Sequence, residues 1–124
     1  MKLDKNVLVL AYLGDSIYEV YIRKFLIDKN ICKVKNLQEE AVFYVSAKGQ
    51  CAFVTNMIDN NFLNEDELEI FHRARNHKSN HHPKNTDIIT YKYATGFEAI
   101  IGYLYLENKI DRINEIINYC LGGK

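Results

Sequence analysis

Two acidic residues stand inside segments of the sequence that are otherwise apolar. Asp15 lies in the stretch AYLGDSIYE, and Glu98 lies in the stretch GFEAIIG. A carboxylate on a buried helix costs several kcal/mol unless it is paired or binds a metal. Two such carboxylates that face each other across a helix crossing could hold Mg²⁺, as enzymes do for phosphate chemistry. The alternative is that each acid caps a neighbouring helix or pairs with Lys or Arg.

A second feature is a basic segment that contains no acid. Residues 59–69 include five acids and no Lys or Arg, whereas residues 72–86 include no acid and all four histidines. A neutral protein with one segregated basic segment can still present a phosphate-binding surface. The polar and basic residues of this segment are Arg73, Arg75, Asn76, Lys78, Ser79, Asn80, Lys84 and Asn85. A solvated loop is the alternative, and a zinc site is disfavoured because no Cys or carboxylate completes a ligand set.

These residues must be positioned by helices, because helical periodicity runs through nearly the whole chain. It predicts an all-α protein with about five main helices, near residues 4–28, 36–58, 64–76, 87–108 and 111–121. Apolar positions cover most of the circumference of the first helix, which we expect to be buried on several sides. The residues expected to cap helices are Asp4, Asn64, Thr86 or Asp87, and Asp111, with a stop at Gly122 and Gly123.

Three glycines lie inside predicted helices, where glycine is less favourable than alanine by roughly 1 kcal/mol. They are Gly14, Gly96 and Gly102. Because such a cost needs a compensating contact, we expect close helix packing at Gly102. Gly14 is expected to let a partner helix approach Asp15.

The composition is that of one domain spanning residues 1–124. The chain has 48% hydrophobic residues, 26% charged residues and a formal net charge of zero, which argues against binding of nucleic acid through overall charge. Three widely spaced cysteines indicate reduced thiols rather than disulfides or a zinc knuckle. The apolar run near the N-terminus is too short to span a membrane and lacks a cleavage site. We therefore expect a cytoplasmic protein without membrane contact.

Two blocks of the sequence together resemble the Mini-ribonuclease III family. The blocks are AYLGDSIYEVYIR and PKNTDIITYKYATGFEAIIGYLYL, and RARN precedes the second block. Members of this family are similar to the catalytic domain of ribonuclease III and lack its separate double-stranded-RNA-binding domain. The resemblance covers essentially the whole chain, and the two blocks keep their order.

The resemblance implies an all-helical endonuclease domain that works as a symmetric homodimer. Double-stranded RNA would lie in a valley across the dimer, and each protomer would cleave one strand. A divalent cation, normally Mg²⁺ with Mn²⁺ as a substitute, would activate water and leave a 5′-phosphate and a 3′-hydroxyl. The role implied by the family is maturation of the ends of the 23S ribosomal RNA precursor in a ribosomal context.

The resemblance also implies which residues form the site. Asp15 matches the acid of the GDS signature and Glu98 matches the metal-binding glutamate of the second block, so both are expected to be catalytic metal ligands. Larger ribonuclease III enzymes have further acids where this chain has Leu8, Ala11 and Thr95. Water or RNA phosphate oxygens must therefore complete the metal shell, and the number of metal ions stays open.

Residues around this pair are candidates for supporting roles. Glu19, one helical turn beyond Asp15, could support the metal ligands, although a surface or dimer contact is the alternative. Lys48 and Gln50 in SAKGQ are weaker candidates for RNA contact or for the active site. The residues expected to bind RNA phosphates and 2′-hydroxyls are Arg73, Arg75, Asn76, Lys78, Lys84 and Lys92.

Two other functions stay open on the sequence alone. A non-catalytic module of the same fold would bind structured RNA without cleaving it, which the small number of acids allows. A helical dimerisation scaffold would have no role in nucleic-acid binding, but it would leave the acid-free basic segment without a purpose.

Overall fold

A computed structural model describes residues 6–78, 84 and 87–122 of the chain. These residues form helices and no strand, which confirms the predicted all-α class, but the helices number six rather than five. No helix of the described part is long and apolar enough to cross a membrane. The helices are α1 (Val7–Asp28), α2 (Val34–Val45), α3 (Ala47–Asp59), α4 (Glu65–Arg75), α5 (Ile88–Leu106) and α6 (Ile110–Cys120).

The predicted second helix is wrong, because two helices meet at Ser46. The extended backbone of Ser46 (φ −65°, ψ 156°) ends α2, and its Oγ accepts a hydrogen bond from the Gly49 nitrogen at 3.1 Å. Serine caps a helix in this way because its hydroxyl replaces a missing backbone acceptor. Gly49 allows the sharp junction, since a Cβ there would overlap the carbonyl oxygen of Phe43. Hydrophobic periodicity continues across the junction, which hides it in the sequence.

Two of the expected helix caps are confirmed. Asn64 and Glu67 form a capping box at the start of α4, in which each side chain accepts a hydrogen bond from the other residue's backbone nitrogen. Asp87 caps α5, because its Oδ2 accepts a hydrogen bond from the Thr90 nitrogen at 3.1 Å. The alternative cap, Thr86, lies outside the described residues.

The expected cap of the last helix is wrong. α6 begins at Ile110 after Lys109, which makes no side-chain capping bond, and Asp111 lies in the first turn of the helix. There its charge interacts favourably with the helix dipole without capping it. At the other end of the chain Asp4 lies outside the described residues, and Asn6 caps α1.

The α5 helix lies at the centre of the fold. It contacts α1, α3, α4 and α6, and its residues from Ala94 to Leu104 are buried with few exceptions. A helix with apolar residues around its whole circumference needs partners on several sides. The sequence predicted this environment for the first helix, but α5 is the helix that has it.

The α1 helix is buried on one face only. Tyr18, Ile22 and Leu26 are buried there, whereas Tyr12 is 82% exposed and Val20 is 64% exposed. The expectation that α1 is buried on several sides is therefore wrong for the single chain. Its second apolar face lies open.

The two long helices α1 and α5 cross at Gly14 and Gly102. A Cβ at Gly14 would overlap the carbonyl oxygen of Glu98, and a Cβ at Gly102 would overlap the carbonyl oxygen of Leu10. Each helix therefore needs a glycine so that the backbone of the other can approach. Beside the crossing, the rings of Tyr18 and Phe97 pack edge to face with centroids 5.0 Å apart. The close packing expected at both glycines is confirmed.

Candidate active site

The helix crossing places the two predicted acids side by side. Asp15 follows Gly14 on α1, and Gly14 lies directly against the backbone of Glu98 on α5. The Asp15 side chain is close enough to Glu98 to raise the pKa of Glu98, both by charge repulsion and by hydrogen bonding to its protonated form. Residues that are distant in the sequence are thus brought together, which agrees with one of the two explanations that the sequence left open for them.

Glu98 has a strongly raised pKa. The pKa of Glu98 is raised from 4.5 to about 8, first by burial and second by the neighbouring Asp15. Burial disfavours the charged form because the carboxylate loses its water, and a second carboxylate disfavours it by repulsion. A hydrogen bond from Gln50 acts in the opposite direction and lowers this pKa. At neutral pH the protein alone therefore favours the protonated form of Glu98.

The most buried acid of the described residues, Glu67, has a different environment. Arg112 donates two hydrogen bonds to its carboxylate, each at 2.8 Å, and the Asn64 nitrogen donates a third at 3.0 Å. Glu67 thus has the ion pair and the capping role that the sequence left open as an alternative for Asp15 and Glu98. Among the described residues, neither Asp15 nor Glu98 has an ion pair with Lys or Arg. Their charges are left for another cation.

The two acids differ in their contact with solvent. Asp15 is exposed, whereas Glu98 is half-buried. The first helix was expected to be buried on several sides, but the side of α1 that carries Asp15 is exposed to solvent. An open carboxylate above a half-buried one leaves the pair accessible to a substrate from outside.

Gln50 is the third polar side chain of the site. It is 1% exposed, and its Nε2 donates hydrogen bonds to the Val45 carbonyl oxygen at 3.0 Å and to Glu98 Oε2 at 3.3 Å. Its Oε1 is buried and has no hydrogen-bond partner among the described residues. From the sequence, Gln50 is only a weaker candidate for RNA contact or for the active site. The available signal was a polar residue on the face of α3 whose other buried members are Val54 and Met57.

The other positions near the pair contribute less. The charge of Glu19 raises the pKa of Glu98, and Glu19 itself pairs with Arg23 at 3.4 Å. Thr95, at a position where larger enzymes have an acid, is buried and donates its hydroxyl hydrogen to the Tyr91 carbonyl oxygen at 2.9 Å. Within the described ranges no group of three or more His, Cys, Asp or Glu side chains gathers to hold a metal.

The site nonetheless fits a hydrated divalent cation such as Mg²⁺. Asp15 and Glu98 supply hard oxygen ligands of the kind Mg²⁺ prefers, and Mg²⁺ commonly keeps several waters when only one or two carboxylates bind it. A cation would relieve the repulsion between the two carboxylates and favour the ionised form of Glu98. The unpaired oxygen of Gln50 adds a buried acceptor beside them.

The predicted RNA-binding residues lie at the end of α4 and the start of α5. Arg75 packs against the rings of Phe71 and Tyr93, with its guanidinium carbon 5.7 and 5.8 Å from their centroids. Arg73 pairs loosely with Glu69 at 3.8 Å and remains largely exposed. Lys92 precedes Glu98 by about 9 Å along α5 at ~1.5 Å per residue. The remaining exposed members of the predicted set are Asn76, Lys78 and Lys84.

The other predicted polar residues have no described contact at this site. Ser79, Asn80 and Asn85 lie outside the described residues, as do two of the four histidines. Lys48 is exposed at the start of α3, two residues before Gln50.

Comparisons with known proteins agree on one family. The Ribonuclease III domain matches residues 8–109. Mini-ribonuclease 3 of Streptococcus pneumoniae is 40% identical over 94% of this chain and 91% of its own length. Mini-ribonuclease 3 of Enterococcus faecalis is 44% identical over 94% of this chain and 88% of its own length. A crystal structure of a Fusobacterium nucleatum protein aligns with TM-score 0.85 and 36% identity, covering 96% of this chain and 93% of that one.

The raised pKa of Glu98 predicts how stability depends on pH in the protein without divalent cations. The folded pKa of about 8 lies above the ordinary 4.5, so the folded state holds its proton more tightly than the unfolded state. The contribution of Glu98 is then fully present below 4.5 and is lost as pH rises through about 8. We expect the free energy of unfolding, measured with urea in EDTA, to fall over this range.

Glu98→Gln should flatten that fall, because glutamine does not titrate. Glu39→Gln, on an exposed position of α2, is the matched control and should keep the wild-type slope. Identical slopes for wild type and Glu98→Gln would contradict the assigned environment of Glu98.

Proposed function

This chain belongs to the Mini-ribonuclease 3 family of ribonuclease III domains, and on that premise we propose that it matures the ends of the 23S ribosomal RNA precursor with a divalent cation. It is an endoribonuclease for double-stranded RNA. The observation that carries the proposal is the contact between Asp15 and Glu98 at the crossing of α1 and α5. Mg²⁺ is the proposed cofactor, and Mn²⁺ can take its place because it has similar oxygen ligands.

Asp15 and Glu98 would hold the cation through their carboxylate oxygens. A bound divalent cation in such a site activates water and stabilises the charge that develops on the phosphate during hydrolysis. Glu98 must lose its proton to act as a ligand, and Gln50 favours that ionised form by donating a hydrogen bond to Oε2. The exposed side of Asp15 leaves room for the phosphodiester. The proposed products have 5′-phosphate and 3′-hydroxyl ends.

The basic residues between α4 and α5 are proposed to bind the RNA backbone. An A-form duplex is recognised mainly through its phosphates and 2′-hydroxyls, which Lys, Arg and Asn side chains can contact. Arg75 is held in place by the rings of Phe71 and Tyr93, so little side-chain freedom is lost when it binds a phosphate. Phe71 also packs against Gly96 on α5. The same helix therefore connects the basic residues to Glu98.

The active form is proposed to be a symmetric homodimer. The open face of α1 has exposed apolar side chains at Val9, Tyr12 and Val20, and this helix also carries Asp15. A second copy that covers this face would bury them and place two active sites near one duplex, one for each strand.

The mass in solution, measured by light scattering, tests the proposed dimer. Tyr12→Asp should give monomers where the wild type gives dimers, because it places a charge on the apolar face. Asn114→Asp, on an exposed position of α6, should stay dimeric, and a monomeric wild type would refute the proposal.

The proposed compartment is the cytoplasm. All three cysteines are unpaired, and Cys32 is exposed, which is compatible with a reducing compartment.

The nuclease assignment predicts the effect of removing each acid. Asp15→Asn and Glu98→Gln should each lower the rate of duplex RNA cleavage by at least ~1,000-fold, about 4 kcal/mol of activation free energy, because each removes a charged ligand of the cation. EDTA should abolish cleavage by the wild type. The measurement is single-turnover cleavage of a defined duplex and of the 23S precursor stem, with the product ends mapped.

Asp28→Asn is the matched control for these variants. Asp28 is an exposed acid at the end of the same helix α1, where it pairs with Lys24 at 2.6 Å, and its replacement should leave the rate unchanged. Near-wild-type cleavage by Asp15→Asn would exclude the assigned role. A protein that binds the duplex in Mg²⁺ and leaves it intact would instead be the non-catalytic RNA-binding module.

The basic segment predicts a change in salt dependence. Replacing both Lys78 and Lys84 by Ala should weaken duplex RNA binding and reduce the slope of log K against log salt concentration by about two, one for each lost phosphate contact. The matched control replaces Lys33 and Lys35, which are exposed near the start of α2. Equal slopes for the two double variants would show that Lys78 and Lys84 do not contact the RNA. Filter binding with Asp15→Asn as the background avoids cleavage during the measurement.

A further inference from the structure

Gln50 is a polar residue at a core position. It lies on the buried face of α3 with Val54 and Met57, and it is almost completely shielded from solvent. A glutamine at such a position is unfavourable unless its amide is fully hydrogen-bonded. Its amide nitrogen has hydrogen-bond partners, whereas its amide oxygen has none among the described residues.

The junction between α2 and α3 fixes the orientation of the Gln50 amide. The carbonyl groups in the last turn of α2 have no partner within the helix. The Tyr18 hydroxyl donates to the Tyr44 carbonyl oxygen at 2.9 Å, and Gln50 Nε2 donates to that of Val45 at 3.0 Å. Rotating the amide by half a turn would oppose Oε1 to the Val45 carbonyl oxygen, and two acceptors repel each other. The nitrogen must therefore face Val45.

This orientation has a consequence for each end of the amide. The second hydrogen on Nε2 is directed to Glu98 Oε2, at 3.3 Å from the nitrogen, so the amide holds one oxygen of the carboxylate in place. Oε1 then lies on the remaining side, buried and without a partner among the described residues. Glu98, the acid that Gln50 contacts, offers no hydrogen to it when ionised. Once a cation has displaced the proton of Glu98, a water molecule bound to that cation would supply the missing donor.

We propose that Gln50 is a positioning residue for the cation site: its amide nitrogen orients Glu98, and its amide oxygen accepts a hydrogen bond from water that enters with hydrated Mg²⁺. This inference rests on the proposed function, because it requires the cation. Replacing a residue that hydrogen-bonds to a metal ligand commonly lowers the affinity for the metal by ~10–100-fold.

Magnesium binding to the protein alone tests the proposal without any RNA. The probe is MgCl₂, and the readout is the rise in melting temperature with its concentration, which reports the affinity for Mg²⁺. Gln50→Met keeps the length of the side chain and removes both amide groups. We expect it to weaken Mg²⁺ affinity at least ~10-fold. Gln38→Met, on an exposed position of α2, is the matched control and should bind Mg²⁺ like the wild type.

A second variant separates the oxygen from the nitrogen. Gln50→Glu keeps an oxygen at this place and adds a charge, so the metal-free protein should be less stable. Mg²⁺ should then raise its melting temperature by more than that of the wild type, because the new carboxylate faces the cation. This variant decides the question if Gln50→Met does not fold.

The proposal is overturned if folded Gln50→Met binds Mg²⁺ with an affinity within about twofold of that of the wild type. Replacing a residue that orients a metal ligand is expected to lower the affinity by more than that. It is also overturned if Mg²⁺ stabilises Gln50→Glu no more than the wild type. A wild type that neither binds Mg²⁺ nor cleaves duplex RNA would refute the proposed function instead. The two failures are therefore distinguishable.

Discussion

The close approach of α1 and α5 is the constraint on which the arrangement of the site depends. Gly14 and Gly102 each accept the backbone of the other helix where a Cβ would overlap a carbonyl oxygen. Glycine inside a helix is unfavourable by roughly 1 kcal/mol relative to alanine, and packing of the two helices offsets this cost. Any larger side chain at either position would push the helices apart. Asp15 and Glu98 would separate with them, since each lies next to the crossing.

The same crossing places two carboxylates side by side, and no Lys or Arg of the described residues forms an ion pair with either. Glu67 and Glu98 are both shielded acids, but Glu67 is neutralised by Arg112 and Glu98 faces Asp15. Burial and repulsion together raise the pKa of Glu98 to about 8. A cation bound between the two carboxylates would replace the proton of Glu98 and offset the repulsion from Asp15. Perturbed pKa values of this kind are typical of functional sites.

The helical class, most helix ends and the pairing of Asp15 with Glu98 could be predicted from the sequence. Periodicity and capping residues are local signals, as the Asn64–Glu67 capping box illustrates. The break at Ser46 was missed because the apolar pattern continues through it. The apolar pattern of α1 predicts burial on several sides, but a pattern alone does not show whether an apolar face packs within the chain or lies open. Gln50 was undervalued because its role depends on the orientation given by that break.

The acids proposed to hold the cation and the basic residues proposed to bind RNA lie at different places in the fold. The acids are fixed by a crossing that tolerates no added atom, whereas the basic side chains lie where α4 ends and α5 begins. On the proposed roles, substitutions of exposed side chains in the second region would alter which RNA is held and leave the crossing of α1 and α5 unchanged. Natural drift or laboratory selection could therefore redirect the specificity of this small enzyme while its hydrolytic apparatus stays intact.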